Sequence, residues 1–290
     1  MKELRGRVAL VTGASRGIGA AIATALAEAG CHVALAARSQ DAIEKLADDL
    51  RQRYGVETIA LPVDLSDESQ VAGMVEAVIE RWGRLDILVN NAGGGIYGDM
   101  AGLRSDDLHA TFSVNFFAPV AAMHAAVPHM RSQGDGVIVN IGSIVGKFPQ
   151  PLGGGYSASK YALHGASGAA RAELKSDNIA VVLVCPGLTD TEFAAHSRIS
   201  VPGAEDMQGE RHAPLRGVPV ERVARRVVKA IRRREREVYI TLFDRLIVLG
   251  AQLFPGLFEW GLLQATKIRR RRFAENRQRT IDDGRTNTHD

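Results

Sequence analysis

Six short runs of β-forming apolar residues recur along the chain with little polar alternation inside them: Val8–Val11, Val33–Ala36, Thr58–Leu61, Ile87–Asn90, Val137–Ile141 and Val181–Val184. A strand with one wet face alternates apolar and polar side chains. A continuous Val/Ile/Leu run is buried on both faces and needs helices above and below its sheet. Stretches with helical spacing fill the gaps, at Ala20–Ala29, Asp41–Tyr54, Glu68–Trp82, Asp106–Met130 and Tyr156–Ser176. This order of strand and helix predicts an α/β fold with a doubly wound parallel sheet and helices on both faces.

The pattern changes after Pro186. Residues 188–218 carry Gly, Pro, His and mixed charge without clear period, as a loop over a substrate would. A basic helix over Val220–Arg234 and a last strand over Glu237–Thr241 complete a catalytic domain read as residues 1–242. Residues 243–290 read as a C-terminal helical extension, apolar and then basic, with a tail expected to be disordered. The net charge of +3 conceals an asymmetry: residues 219–290 hold 17 Lys and Arg against 9 Asp and Glu, a net of +8, leaving 19 against 24, a net of −5, in residues 1–218. With 46% hydrophobic and 24% charged residues, disordered, fibrous and disulfide-stapled classes are excluded. Cys31 and Cys185 lie in apolar runs and read as buried thiols. The charged start Met1–Arg7 has no secretory signal character, so a cytoplasmic location is expected.

The first strand runs into Thr12-Gly13-Ala14-Ser15-Arg16-Gly17-Ile18-Gly19 and opens a helix. That context suits a phosphate-binding turn of the Rossmann-like kind: Gly13 permits the turn, Gly17 lets backbone approach a pyrophosphate, and Gly19 lets helix pack on strand. An NAD site should place a carboxylate at the end of the second strand, on the ribose 2′-hydroxyl. Here the strand ends in Arg38-Ser39, and Arg38 with Arg16 can meet a 2′-phosphate, so NADP (NADPH) is the expected cofactor. Asp41, with Glu44 three residues on, reads as a helix cap.

Tyr156 and Lys160 stand four apart at the start of a helical stretch, on one face, where the ammonium should lower the phenol pKa. Such a pair alone is also a common surface feature. Ser143 follows the strand Val137–Ile141 and stands at the carboxyl edge of the sheet; Asn115 lies in the long helix before it. Taken together, the residues resemble the short-chain dehydrogenase/reductase (SDR) family over about residues 5–240: the glycine turn, Asp64-Leu65, Asn90-Asn91-Ala92-Gly93, Ser143 with Tyr156 and Lys160, and Pro186-Gly187 followed by Thr189 and Thr191.

The resemblance implies an oxidoreductase that interconverts a carbonyl and a secondary alcohol. It implies that Gly13, Ser15, Arg16, Gly17, Ile18, Gly19 and Arg38 hold the nucleotide, that Asp64 and Leu65 contact adenine, and that Asn91 packs along the cofactor. Tyr156 would be the acid/base, Ser143 would polarise the carbonyl, Lys160 would bond the ribose, and Asn115 would hold a relay water. Pro186, Gly187, Thr189 and Thr191 would hold the carboxamide. A homo-oligomer is expected. The alternatives are a non-catalytic NADP-binding scaffold or sensor on the same fold, though such a protein would not need Ser143, Tyr156, Lys160 and Asn115 all intact, and a membrane-associated SDR whose tail governs its role.

His124, His129 and His164 show no metal-ligand spacing, so no metal is expected, and they read as packing or surface residues. His196 and His212 lie in the irregular loop; Phe148, Pro149 and Leu152 can line an apolar pocket suited to a lipophilic carbonyl compound. Leu246–Phe258 carries no charge but is only 13 residues long and is interrupted by Pro255, too short to span a bilayer. It reads either as a helix that caps the pocket or packs on a second subunit, or as a peripheral membrane contact over residues 246–272, with Trp260 in the headgroups and Lys267 and Arg269–Arg272 on anionic lipid. Nucleic acid is not an expected partner, because the arginine run lacks interleaved aromatics.

Overall fold

The structure, a computed structural model, describes residues 1, 3–193, 195, 197–200 and 217–267. Seven parallel strands form the sheet: β1 (Val8–Thr12), β2 (His32–Ala37), β3 (Thr58–Pro62), β4 (Ile87–Asn90), β6 (Gly136–Ile141), β7 (Ile179–Cys185) and β9 (Glu237–Tyr239). Their order is β3-β2-β1-β4-β6-β7-β9, so the direction of winding reverses between β1 and β4. Two-residue strands β5 (Ile96–Tyr97) and β8 (Arg198–Ile199) pair with each other beyond the carboxyl edge. Every apolar run in the sequence lies in a strand of the main sheet.

Alternate residues of each strand feed two cores. Ala9 and Val11 of β1, with Val33 and Leu35 of β2, face α1 (Gly17–Glu28), α2 (Gln40–Tyr54) and α7 (Val220–Arg233). Val8 and Leu10, with Ala34 and Ala36, face α3 (Glu68–Trp82) and α5 (Ala118–Gln133). Both faces of the central strands are dry, which is the condition their composition predicted.

The stretch from 105 to 133 is one helical run that changes pitch: α4 (Ser105–Phe112), a π-helical turn Ser113–Phe117, then α5. By length and hydropathy this run is apolar enough to cross a membrane, but Ala122, Ala126 and Met130 are buried in the core beneath the sheet. α6 (Gly154–Glu173) follows the short 3-10 turn Ile144–Gly146. The helix read as capped by Asp41 is instead entered through Ser39, with no side-chain cap; Asp41 sits inside the first turn, where its charge suits the positive end of the helix.

α1 packs unusually close to β1. A Cβ on Gly19 would come within 2.2 Å of the Gly13 carbonyl oxygen and 2.4 Å of Asn91 Nδ2. Gly73, in the middle of α3, has open space around it. Gly19→Ala is therefore expected to destabilise the chain by about 3 kcal/mol through overpacking, whereas Gly73→Ala should stabilise it by about 0.5–1 kcal/mol. Thermal unfolding of the two variants checks this; equal stabilities would contradict the close approach.

Candidate active site

The carboxyl ends of β1 and β4 are tied together by a hydrogen-bonded clasp. Thr12 Oγ1 accepts from the backbone N–H of Asn91 at 3.0 Å and of Ala92 at 3.1 Å. Asn91 Nδ2 donates back to the carbonyls of Thr12 at 2.9 Å and Gly13 at 3.2 Å. Asn91 is thus committed to holding the glycine turn in shape. Gly13 and Gly17 both have positive φ, 64° and 56°, so the turn needs glycine at each.

The N-terminus of α1 is left open for an anion. Its N-cap, Arg16, makes no side-chain cap bond, and the first turn holds no acidic residue. Ser15, Gly17 and Ile18 are only half-buried there, and the Thr191 side chain bounds the space over Gly17, 3.5 Å from where a Cβ would stand. N–H groups at a helix start, a positive dipole end and missing side chains fit a pyrophosphate. Arg16 and Arg38 are both exposed on this edge; Arg16 also reaches Glu192 at 3.9 Å. Asp64, after β3, accepts from Ser66 N at 3.0 Å and Ser66 Oγ at 2.8 Å, and these bonds hold its carboxyl below the usual range, with Arg38 adding to the effect. Leu65 beside it is buried.

A buried polar chain links the sheet to α6. Asn90 Nδ2 donates to Asn140 Oδ1 at 2.9 Å, Asn140 Nδ2 to Ser167 Oγ at 2.8 Å, and Ser167 Oγ to the Leu163 carbonyl at 2.6 Å. With α6 so placed, Lys160 is buried and donates to the Ile141 carbonyl at 2.8 Å, while its Nζ lies 5.7 Å from the centre of the Tyr156 ring. Asn115 sits, fully buried, in the π-helical turn. Its side chain accepts from Gly94 N at 2.8 Å and donates to the Gly94 carbonyl and Ser159 Oγ, both at 2.9 Å. π-helical turns widen a helix locally and occur often at functional sites. Here the turn brings Asn115 beside Gly93, whose other near neighbour is Lys160 Nζ.

Ser143 starts the 3-10 turn after β6, and its hydroxyl lies 3.5 Å from the Pro186 carbonyl and close enough to the Tyr156 phenol to act on it. Burial is the main influence on the Tyr156 phenol and raises its pKa, Tyr97 adds to the rise, and only the Ser143 hydroxyl opposes it. The expected lowering by Lys160 is absent in the cofactor-free chain. Burial also lowers Lys160 to about 8, and its ammonium is spent on a carbonyl rather than on the phenol oxygen.

The sequence and backbone compare with known proteins as this geometry would require. The short chain dehydrogenase family is matched over residues 7–201. The chain belongs to the short-chain dehydrogenase/reductase family. It is 36% identical over 265 residues to the dehydrogenase/reductase SDR family protein 7-like of Anopheles gambiae, covering 89% of this chain and 83% of that one. It is 34% identical over 297 residues to the ketoacyl reductase HetN of Nostoc sp., covering 98% and 97%. The backbone is similar to that of a short-chain dehydrogenase from Sphingobium yanoikuyae in complex with NADPH, with TM-score 0.73, 29% identity and coverage of 86% and 96%. It is also similar to an SDR from Burkholderia phymatum in complex with NAD, with TM-score 0.77, 27% identity and coverage of 87% and 96%.

As an SDR oxidoreductase, the chain uses NAD(P), and its remaining site residues fall along the last crossover. Pro186 accepts from Ile144 N at 3.0 Å, and Thr189 bridges to Val218, closing the strip from Gly187 to Thr191 over the edge of the sheet. Two features escaped sequence reasoning. Phe193 stands 5.4 Å from the Tyr156 ring and walls the site. His164 is buried beneath the Ser143 turn: its Nε2 faces Ser143 N at 3.4 Å and Cys185 Sγ at 3.8 Å, and its Nδ1 meets no hydrogen-bond partner among the described residues. Burial, helped by the charges of Lys147 and Lys160, lowers it to about 4, so it stays neutral. Gly142 and Gly146 pack against its ring, a cue visible only once the elements are assembled. Phe148, read as pocket lining, is covered by Phe258, with ring centroids 4.9 Å apart. His196, His212 and Arg269–Arg272 lie outside the described residues.

Keeping Lys160 charged in the dry interior is costly. The folded value is depressed from 10.5 to about 8, so between pH 8 and 10.5 the unfolded chain holds a proton that the folded one has released, and stability rises with pH across that window. At pH 7 the buried charge costs about 3 kcal/mol. Lys160→Met should raise the Tm of the cofactor-free chain at pH 7 by several degrees, with the gain shrinking towards pH 10. A pH-independent gain in thermal unfolding would contradict this origin.

Proposed function

We propose that the protein is an NADP(H)-dependent reductase that interconverts a carbonyl and a secondary alcohol on a lipophilic substrate. The observation that carries this is the meeting, at the carboxyl edge beside the glycine turn, of the Ser143 and Tyr156 hydroxyls with the buried Lys160 ammonium. When bound, NADPH supplies the hydride.

The chain's own residues supply the proton and the orientation. Burial keeps the Tyr156 phenol protonated at neutral pH, which is the form that donates to a carbonyl oxygen as charge develops there. Ser143, beside the phenol, orients and polarises the same oxygen. Lys160 holds positive charge beneath the Tyr156 ring and is placed to bond a ribose hydroxyl. Asn115 positions Ser159 and the Gly93-Gly94 backbone around that lysine and would hold the water that connects it to solvent. Pro186, Gly187, Thr189 and Thr191 form the rim that receives the carboxamide. Apolar groups about Tyr156, among them Phe193, Ile144 and Val145, favour a lipophilic substrate.

Preference for NADP rests on Arg38 and Arg16 and on the lack of a carboxylate at the end of β2. Arg38→Ala is expected to lower the NADPH-to-NADH ratio of kcat/KM by roughly ten- to hundred-fold, the worth of a charge-assisted bond. An unchanged ratio would remove the assignment. Tyr156→Phe should lower kcat by about 10²–10⁴-fold while leaving NADPH binding, measured by fluorescence, nearly unchanged. Full turnover in that variant would show that the proton comes from elsewhere.

A further inference from the structure

After β9 the chain forms two helices, α8 (Leu242–Leu253) and α9 (Pro255–Lys267), that meet at an angle of 115°. α8 begins with a capping box in which the Thr241 hydroxyl accepts from Asp244 N at 3.0 Å and the Asp244 carboxylate accepts from Thr241 N at 3.0 Å. Its inner face, Asp244, Val248 and Ala251 at helical spacing, is buried. Val248 and Ala251 pack on Val145 and Phe148, and from α9 Phe258 joins the same cluster. The segment is therefore docked on the body of the protein beside the active site.

Its outer face is apolar as well. Leu242, Leu246, Leu249 and Leu253 recur at i, i+4, i+7 and i+11, with exposures of 70%, 56%, 41% and 68%. Phe254, at 62%, and Trp260, at 60%, extend the patch along the bend and onto α9. Of the 13 large hydrophobic side chains exposed among the described residues, nine lie between Leu242 and Leu263. The outward side of a surface helix is normally polar, and an apolar patch of this extent marks a binding surface.

Charge and shape select the occupant. Residues 242–272 hold six Lys and Arg against two carboxylates, Glu259 and the buried capping residue Asp244. A second copy would bring an equal excess of positive charge to the contact, whereas an anionic surface neutralises it. Helices of 12 and 13 residues, sharply bent at Phe254, are too short to span a bilayer and suited to lying in its interface, with Trp260 at headgroup depth. We propose that the outer face of α8 and α9 docks the protein on an anionic phospholipid membrane. The surface adjoins the cluster that contains Tyr156, so docking would place the substrate mouth close to lipid.

Co-flotation of the full chain with vesicles of phosphatidylcholine, alone or mixed with phosphatidylglycerol, tests this. The expected result is flotation with the anionic vesicles at low salt, reduced at high salt, together with a blue shift of tryptophan emission that is absent in Trp260→Leu. Leu246→Gln/Leu253→Gln should abolish flotation, and because both side chains are exposed its far-UV circular dichroism and Tm should match those of the parent. Lys267→Gln, which leaves the apolar face intact, should lower partitioning about five-fold. No flotation at low salt overturns the proposal, as does flotation indifferent to phosphatidylglycerol or to Leu246→Gln/Leu253→Gln. A parent that sediments as a dimer, falls to a monomer in that double variant and does not float would assign the face to a second copy. None of these readouts uses turnover, so the membrane assignment and the reductase reading can fail separately.

Discussion

The clasp between Thr12 and Asn91 is the interaction on which the rest of the site depends. It joins the ends of β1 and β4, where the sheet reverses its winding and a crevice opens because successive crossovers leave in opposite directions. Four bonds at 2.9–3.2 Å hold the two turns together. Gly13 and Gly19 leave no room for anything looser, since a Cβ on either would meet Asn91 or its neighbour at under 3 Å. The price of a phosphate-binding turn with two left-handed residues is met by side-chain bonds that the unfolded chain cannot form. The same contacts fix the start of α1, so the open N–H groups of its first turn point into the crevice.

A second constraint acts on the other half of the site. The chain Asn90–Asn140–Ser167 runs through the dry core from β4 to α6, and the Asn140 Nδ2 donor that crosses to Ser167 would be orphaned if the helix slid by one residue. That register places Tyr156 over Lys160 and sends the lysine to the Ile141 carbonyl at the end of β6. Stability is sacrificed there: the ammonium is kept dry at neutral pH, and beneath the adjoining turn His164 is held neutral with one nitrogen unbonded among the described residues.

How much of this could be read from the sequence follows from what each feature does to a pattern. Six of the seven strands of the sheet were legible because burial on both faces writes itself as unbroken apolar runs. The π-helical turn was not: one extra residue per turn between α4 and α5 leaves the apolar spacing of a 29-residue run nearly intact, so Asn115 could be placed on a helix but not at its widened turn. The two-residue strands β5 and β8 are too short to carry a period. Lys160 was correctly placed near Tyr156, yet the phenol is shifted upward; spacing along a helix reports neighbourhood, whereas the shift is set by depth of burial and by which atom the ammonium bonds. His164 lies on the same helix as Tyr156 and Lys160 and had no signature of its own, because its neighbours Ser143 and Gly146 come from the turn after β6 and Cys185 from the end of β7.

The C-terminal helices show the same limit in its sharpest form. Reading Leu246–Phe258 as a cap or as an anchor treated these as alternatives, since a helix is ordinarily apolar on one side only. In α8 the inward positions 248 and 251 and the outward positions 242, 246, 249 and 253 interleave, so beyond the Asp244 cap both sides are apolar and the sequence reads as a featureless run. The inward side has its partners in Val145 and Phe148, one turn of chain from Ser143. The outward side has none within the described chain. A helix that packed only inward would gain nothing from leucines on its far side and would risk aggregation through them, so the two faces need two separate physical explanations. The inner face is accounted for by the cluster it packs on beside the candidate site, and the outer face by something that the folded chain must meet.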